Sequence, residues 1–260
     1  MTAHALDPAA WRARRAAARW VPPHGAALLC VYRTRHVWAV ERLVAEARGL
    51  GLTVALWALE AVAPALAAVT VGCGSGPRVT LLNRLLETMA PAHRGPLVLA
   101  DDDVTFVRGG LGILLAMAER CGFAIAQPAH APGSHANHDL TRSRPLTLAR
   151  RTAFVEIGPL VVIATDWRDR VVPFPPDFGM GWGLDLLWHD LMKKGARLGI
   201  VDAVTIHHLE PPGRDYDDGP ERARVGAMME ARGLRSLRDI QHDLGAWRAW
   251  ARRPPWPTRA

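Results

Sequence analysis

Two stretches of this chain carry residues that could do chemistry. In the first, the apolar run Leu97-Val98-Leu99-Ala100 ends abruptly in Asp101-Asp102-Asp103. That pattern predicts a buried strand delivering negative charge to its carboxyl end, where open α/β sheets place their ligands. Three adjacent aspartates repel one another, so two or three of them ionised together need a cation to offset the repulsion. Hard oxygen donors suit Mg²⁺ or Mn²⁺, ions that keep positions open for a substrate diphosphate. The chemistry indicated is metal-assisted transfer from a nucleotide-linked substrate. A solvated acidic turn with an Asp capping a helix is the competing reading of a lone triplet.

The second stretch is Phe178-Gly179-Met180-Gly181-Trp182-Gly183-Leu184-Asp185. Its glycines permit tight backbone turns, and helical spacing over 186–194 places Asp185 in the first turn of a helix. A carboxylate there can accept a proton, and it can equally serve as a cap. Glu156 interrupts the apolar run Phe154-Val155-Ile157, so it needs a partner or a role. A core pair with an arginine and a contact to an acceptor hydroxyl serve equally well. His207 and His208 follow a short strand at 198–202, where they could complete a metal site or simply lie solvated in a loop. The Gly-rich loop Gly72-Cys73-Gly74-Ser75-Gly76-Pro77-Arg78 lets backbone approach a ligand, and Arg78 or Arg84 could meet phosphate. The loop is not a clean dinucleotide fingerprint. His130, His135 and His138 fit no zinc spacing, and the segment 128–146 that holds them reads as a mobile loop on the acceptor side.

The elements that must position these residues alternate. Strands are expected at 26–32, 53–59, 69–72, 96–100 and 123–127, with helices at 38–48, 78–89 and 112–121. Strand-like sequence returns at 151–165. Such alternation implies an α/β fold: a mostly parallel, right-handedly wound, Rossmann-like sheet flanked by helices in a single domain. Tyr32, Arg33, Gly74 and Asp101 would converge at one edge of it. A basic helix at 1–24 precedes the central unit at 25–212. A polar, Pro-rich helical tail at 213–260, with Trp247 and Trp250, follows it.

With 260 residues, 49% hydrophobic and 22% charged, the chain can bury a substantial core. Its Ala, Arg, Gly and Pro bias points to a GC-rich bacterial genome. Three widely spaced cysteines indicate neither a disulfide framework nor a zinc site, and a reducing cytoplasm suits them. No apolar run approaches the roughly 20 residues that span a bilayer, and the amino terminus lacks the apolar centre of a signal peptide. The net charge of +7 resides largely at the ends, in Arg12, Arg14, Arg15 and Arg19 and in Arg248, Arg252, Arg253 and Arg259. That distribution argues against nucleic acid and leaves docking to an anionic membrane or acidic acceptor open.

Taken in order, the aspartate triplet, Ala126-Gln127-Pro128, Phe154-Val155-Glu156-Ile157, Gly181-Trp182-Gly183-Leu184-Asp185 and Gly199-Ile200-Val201-Asp202 up to His208 form a recognisable series. The chain resembles GT-A-fold glycosyltransferases, and most closely a little-characterised glycosyltransferase-like family with these motifs. The resemblance spans roughly 96–210. It implies a UDP-, GDP- or dTDP-linked sugar donor held through Mn²⁺ or Mg²⁺, and a sugar, lipid-linked or small-molecule acceptor. Asp101 and Asp103 take the two acidic positions of a D-x-D motif, with Asp102 between them. His208 aligns better than His207 with a late metal ligand, and Asp185 falls where inverting relatives place the general base. Tyr32, Arg33, Arg78, Asp101, Asp102 and Trp182 would contact the donor, with Glu156 beside Asp185 in the catalytic set. The acidic residue with which many relatives hold uracil is missing unless Glu60 fills the role.

Two other functions compete. A nucleotidyltransferase would share sheet and metal but usually carries a Gly-rich basic loop after its first strand, where this chain has Tyr32-Arg33-Thr34-Arg35. A non-catalytic nucleotide-sugar-binding module would not need the ligands and base together.

Overall fold

The computed structural model describes residues 7–89, 94–211 and 217–256. Arg259 and residues 212–216 lie outside the described residues. Helix α1 (Pro8–Ala17) starts at Asp7, whose carboxylate accepts from the Ala9 N–H. Then follow β1 (Ala27–Tyr32), α2 (Val37–Gly49), β2 (Thr53–Ala58), β3 (Thr70–Cys73), α3 (Arg78–Glu87), β4 (Leu97–Ala100), β5 (Val104–Arg108) and α4 (Leu111–Arg120). The remainder is β6 (Ile125–His130), β7 (Thr147–Thr152), β8 (Leu160–Ile163), α5 (Thr165–Val171), α6 (Leu184–Leu191), β9 (Leu198–His208), α7 (Gly219–Glu230) and β10 (Asp243–Arg248).

One mixed sheet runs β10-β7-β9-β6-β8-β4-β1-β2-β3, with β5 paired to β9 off that path. Strands β4, β1, β2 and β3 are mutually parallel, as the strand-helix alternation predicts. Antiparallel β8 sits between β4 and β6, and β9 runs parallel to β6. The central strands are continuous apolar runs because both faces are covered. Leu28 and Cys30 face α2 and α4 in one core layer, while Leu29, Leu97 and Leu99 face Val79, Leu82, Leu85 and Trp188 in the other.

Several elements differ from the sequence expectation. His207 and His208 are the last residues of the eleven-residue β9 rather than part of a following loop, and they pair with β5. Residues 154–157 are irregular and bridge β7 to β8. Residues 243–248, expected within a helical tail, form β10 at the sheet edge against β7. β7 itself reads polar because it carries Arg150, yet Arg150 is fully buried against Asp202, Nε to Oδ2 2.8 Å. Burial of a charge is tolerated only with such a partner, and nothing local in the sequence announces one 52 residues away.

Candidate functional site

A cavity of about 580 Å³ opens where β1, β4, β6 and β9 end and where antiparallel β8 begins. Arg33, Arg78, all three triplet aspartates, Glu156, Trp182, Asp185 and His208 line it, so most of the sequence-predicted site is brought together. Tyr32 is the exception. Its side chain is fully buried and its hydroxyl contacts Thr70 Oγ1 at 3.0 Å and accepts from the Ala63 N–H at 3.1 Å, outside the cavity lining. The alternation of a strand explains this: Val31 and Tyr32 point to opposite faces, and Val31 is the one that lines the cavity. Glu60 accepts from the Thr34 N–H at 3.2 Å and is likewise not part of the lining.

The triplet divides its labour. Asp101 Oδ1 accepts from Arg78 Nε at 2.7 Å, and a Cβ on Gly158 would come within 2.6 Å of Asp101 Oδ2, so glycine makes room for the carboxylate. Both terminal nitrogens of Arg78 are buried without a hydrogen-bond partner. Asp102 turns inward, accepting from the Arg33 N–H at 2.7 Å and lying 3.2 Å from His36 Nδ1; burial pushes its carboxyl above the ordinary range. It ties the end of β1 to the end of β4. Asp103 Oδ2 stands 3.3 Å from His208 Nε2 and accepts from the Glu210 N–H at 3.2 Å. Burial opposes ionisation of Asp103, but the hydrogen bond and charge of His208 outweigh it and hold Asp103 below its usual value. Burial works against the imidazolium too, and Asp103 more than compensates, raising His208. Among the described residues no three His, Cys, Asp or Glu side chains are grouped so as to hold a metal ion by themselves.

Asp185 sits in the first turn of α6 behind Gly183, which has φ +95°. Gly181 has φ +104° and packs against Ile157, so a side chain would be strained there on both counts. Asp185 Oδ1 accepts from the Leu186 N–H at 2.9 Å. Burial raises its pKa to about 7, the Leu186 bond moderates the rise, and the charge of Glu156 adds to it. Desolvation thus exceeds the help of the helix dipole.

Glu156 is held by Gln127, whose Oε1 accepts from the Glu156 N–H at 2.7 Å. The Gln-Pro strand and the Val-Glu-Ile segment are therefore one unit. His130 Nε2 lies 3.3 Å from Glu156 Oε2 and His138 Nε2 lies 3.7 Å from Oε1; the Oε2 and His130 Nε2 atoms are buried with no aligned hydrogen-bond partner. His130 Nδ1 contacts Ser134 Oγ at 2.9 Å, and Ser134 Oγ accepts from the His208 N–H at 2.9 Å. These histidines, read from sequence as parts of a mobile loop, line the cavity beside the catalytic candidates. Their irregular spacing carries no motif signal, because β6 places His130 while His138 comes from the segment that follows that strand. Arg222 of α7 was not singled out; its guanidinium carbon lies 5.3 Å from the centre of the Trp182 ring.

No protein-family model and no curated protein matches the sequence. Among solved structures, GalNAc-T7 crystallised with UDP, GalNAc and Mn²⁺ aligns at a TM-score of 0.55 and 10% identity, covering 79% of this chain and 48% of that one. S. aureus TarS 1–349 aligns at 0.45 and 11% identity, covering 69% and 59%. This chain spans about half the length of the GalNAc-T7 chain that it matches. The likeness to GalNAc-T7 shows a shared fold, the GT-A fold of glycosyltransferases.

Proposed function

We propose that the chain is a metal-dependent glycosyltransferase that moves a sugar from a nucleotide-sugar donor to an acceptor hydroxyl, inverting, with Asp185 as general base. One observation carries the reading. A single cavity on a GT-A sheet holds both a carboxylate titrating at about 7 and, at the ends of β4 and β9, a carboxylate–imidazole pair with two further aspartates.

The carboxylate of Asp103 suits Mn²⁺ or Mg²⁺, ions that accept one or two protein ligands and take the rest from phosphates and water, and the imidazole of His208 favours Mn²⁺ of the two. Asp103 and His208 would hold the ion, which when bound neutralises charge on the departing diphosphate. Asp101 contributes through Arg78, fixing the guanidinium while its two unpartnered nitrogens remain to bind donor phosphate. Trp182 would lie against the sugar. Asp185, ionised, takes the proton of the acceptor hydroxyl as its oxygen bonds to the anomeric carbon and the bond to the diphosphate breaks. Glu156, whose carboxylate lines the cavity between His130 and His138, is suited to accept a hydrogen bond from the acceptor. Raising the base to about 7 strengthens it as a proton acceptor while leaving much of it ionised at neutral pH.

Calorimetric titration with UDP and with GDP, in Mn²⁺ and then in chelator, tests this first. Binding of one diphosphate that chelator abolishes supports the donor site, and transfer assays with the corresponding nucleotide sugar then test catalysis. Failure of every diphosphate, dTDP included, to bind with or without metal overturns the reading.

A further inference from the structure

Ala249 joins three segments of the surface away from the cavity. Its N–H donates to Leu146 O at 2.9 Å, and its carbonyl accepts from the Arg12 guanidinium. The contacts gather Trp11 of α1, Leu146 in the turn before β7, and Trp250, which are 57%, 45% and 71% exposed. Arginines lie close to the two tryptophans in the chain. Arg14, Arg15, Arg19, Arg252 and Arg253 are exposed, and Arg120 lies 5.6 Å from the centre of the Trp247 ring. Neither α1 nor residues 244–256 contains an acidic residue.

Exposed apolar side chains flanked by cations mark a surface with a partner. Arginine and tryptophan would serve both nucleic acid and lipid, and two details favour lipid. Leu146 offers no face on which a base could stack. Arg15 lies over Trp11, 4.9 Å from its ring centre, and occupies a face that a base would use. Tryptophan and leucine beside arginine instead match the headgroup zone of a bilayer, where the aromatic ring sits at the interface and the guanidinium meets phosphate.

We propose that this face docks the protein on a membrane surface bearing anionic phospholipids, with Trp11, Leu146 and Trp250 entering the headgroup region. The attachment is reversible and salt-sensitive, because the cations act near the surface within a Debye length. It does not depend on the glycosyltransferase reading.

Co-sedimentation of the full chain with vesicles tests it, using phosphatidylcholine alone and phosphatidylcholine mixed with phosphatidylglycerol. The expected result is binding to the mixed vesicles only, weakened in high salt. The Arg14→Ala/Arg15→Ala variant should bind about 30-fold more weakly, from the worth of each cation near an anionic surface. Trp11→Ala/Trp250→Ala should also weaken binding, with both variants keeping the wild-type melting curve. Absence of binding to mixed vesicles, equal binding to both vesicle types, or displacement from vesicles by a single-stranded oligonucleotide that the tryptophan variant no longer binds would each overturn the proposal.

Discussion

Asp103 Oδ2 and His208 Nε2 face each other at 3.3 Å because β5 and β9 pair antiparallel with Val104 opposite His208. Side chains alternate along a strand, so a slip of one residue would turn His207 toward the cavity and His208 away. The register thus selects the histidine. In Asp103→Ala or His208→Ala, the Mn²⁺-dependent part of UDP or GDP affinity should fall at least about tenfold, as for lost metal contacts generally. His207→Ala should leave it intact. Titration calorimetry with and without chelator reads the difference.

Asp185→Asn should lower turnover by about a hundred- to ten-thousand-fold while leaving diphosphate affinity unchanged. In the wild type, kcat should rise with pH through about 7 as the base ionises. A pH profile of initial rates, set beside diphosphate titration of the variant, checks both.

The same residue gives a stability signature. Its folded pKa of about 7 lies above the ordinary aspartate value, so folding favours the protonated form. That stabilisation is complete below the unfolded value near 4 and is lost as pH rises through about 7. The cost of ionising it in place is on the order of 4 kcal/mol. Asp185→Asn removes that cost, so the variant should melt above the wild type at pH 8 and show little advantage at pH 4. Thermal melts at the two values test the sign.

Arg78→Met should weaken diphosphate binding without unfolding the chain, because the guanidinium's two free nitrogens point to a ligand while only Nε is bonded, to the half-buried Asp101. A charge-assisted contact is worth about 1.5–3 kcal/mol, so affinity should drop by roughly one to two orders of magnitude. Unchanged affinity would remove Arg78 from the site.

Asp202→Ala should lower unfolding free energy by about 3 kcal/mol, because it removes the fully buried partner of Arg150 and leaves the guanidinium with Asp243, 3.2 Å from its Nη1, as its remaining counter-charge. Urea denaturation measures it. The Asp of the Ile-Val-Asp strand is therefore predicted to act on stability, with diphosphate affinity per folded molecule unchanged.

The site residues were legible to different degrees. Asp101 to Asp103 could be placed from sequence because an apolar run stops at them, and Asp185 because glycines and helical spacing bracket it; both signals are local. The division within the triplet was not legible. Whether an aspartate meets Arg78, the Arg33 amide or His208 depends on segments 23, 69 and 105 residues away. His130 reads as a loop residue because only the pairing of β6 with β9 carries it to the cavity, and His138 reads so because it lies in the irregular segment beyond β6.

What the sequence determined by itself is the inventory: apolar strands whose carboxyl ends bear acids, an α/β alternation, and a helix beginning near Asp185. These follow from periodicity and turn chemistry, which act over a few residues. Only the tertiary structure decided which way each side chain works. The antiparallel insertion of β8, the late strand β10, Tyr32 turned into the core and Arg150 neutralised by Asp202 all arise from pairing between distant segments. A buried polar group is stable only when a remote partner meets it, and that partner is set by the register of the assembled sheet.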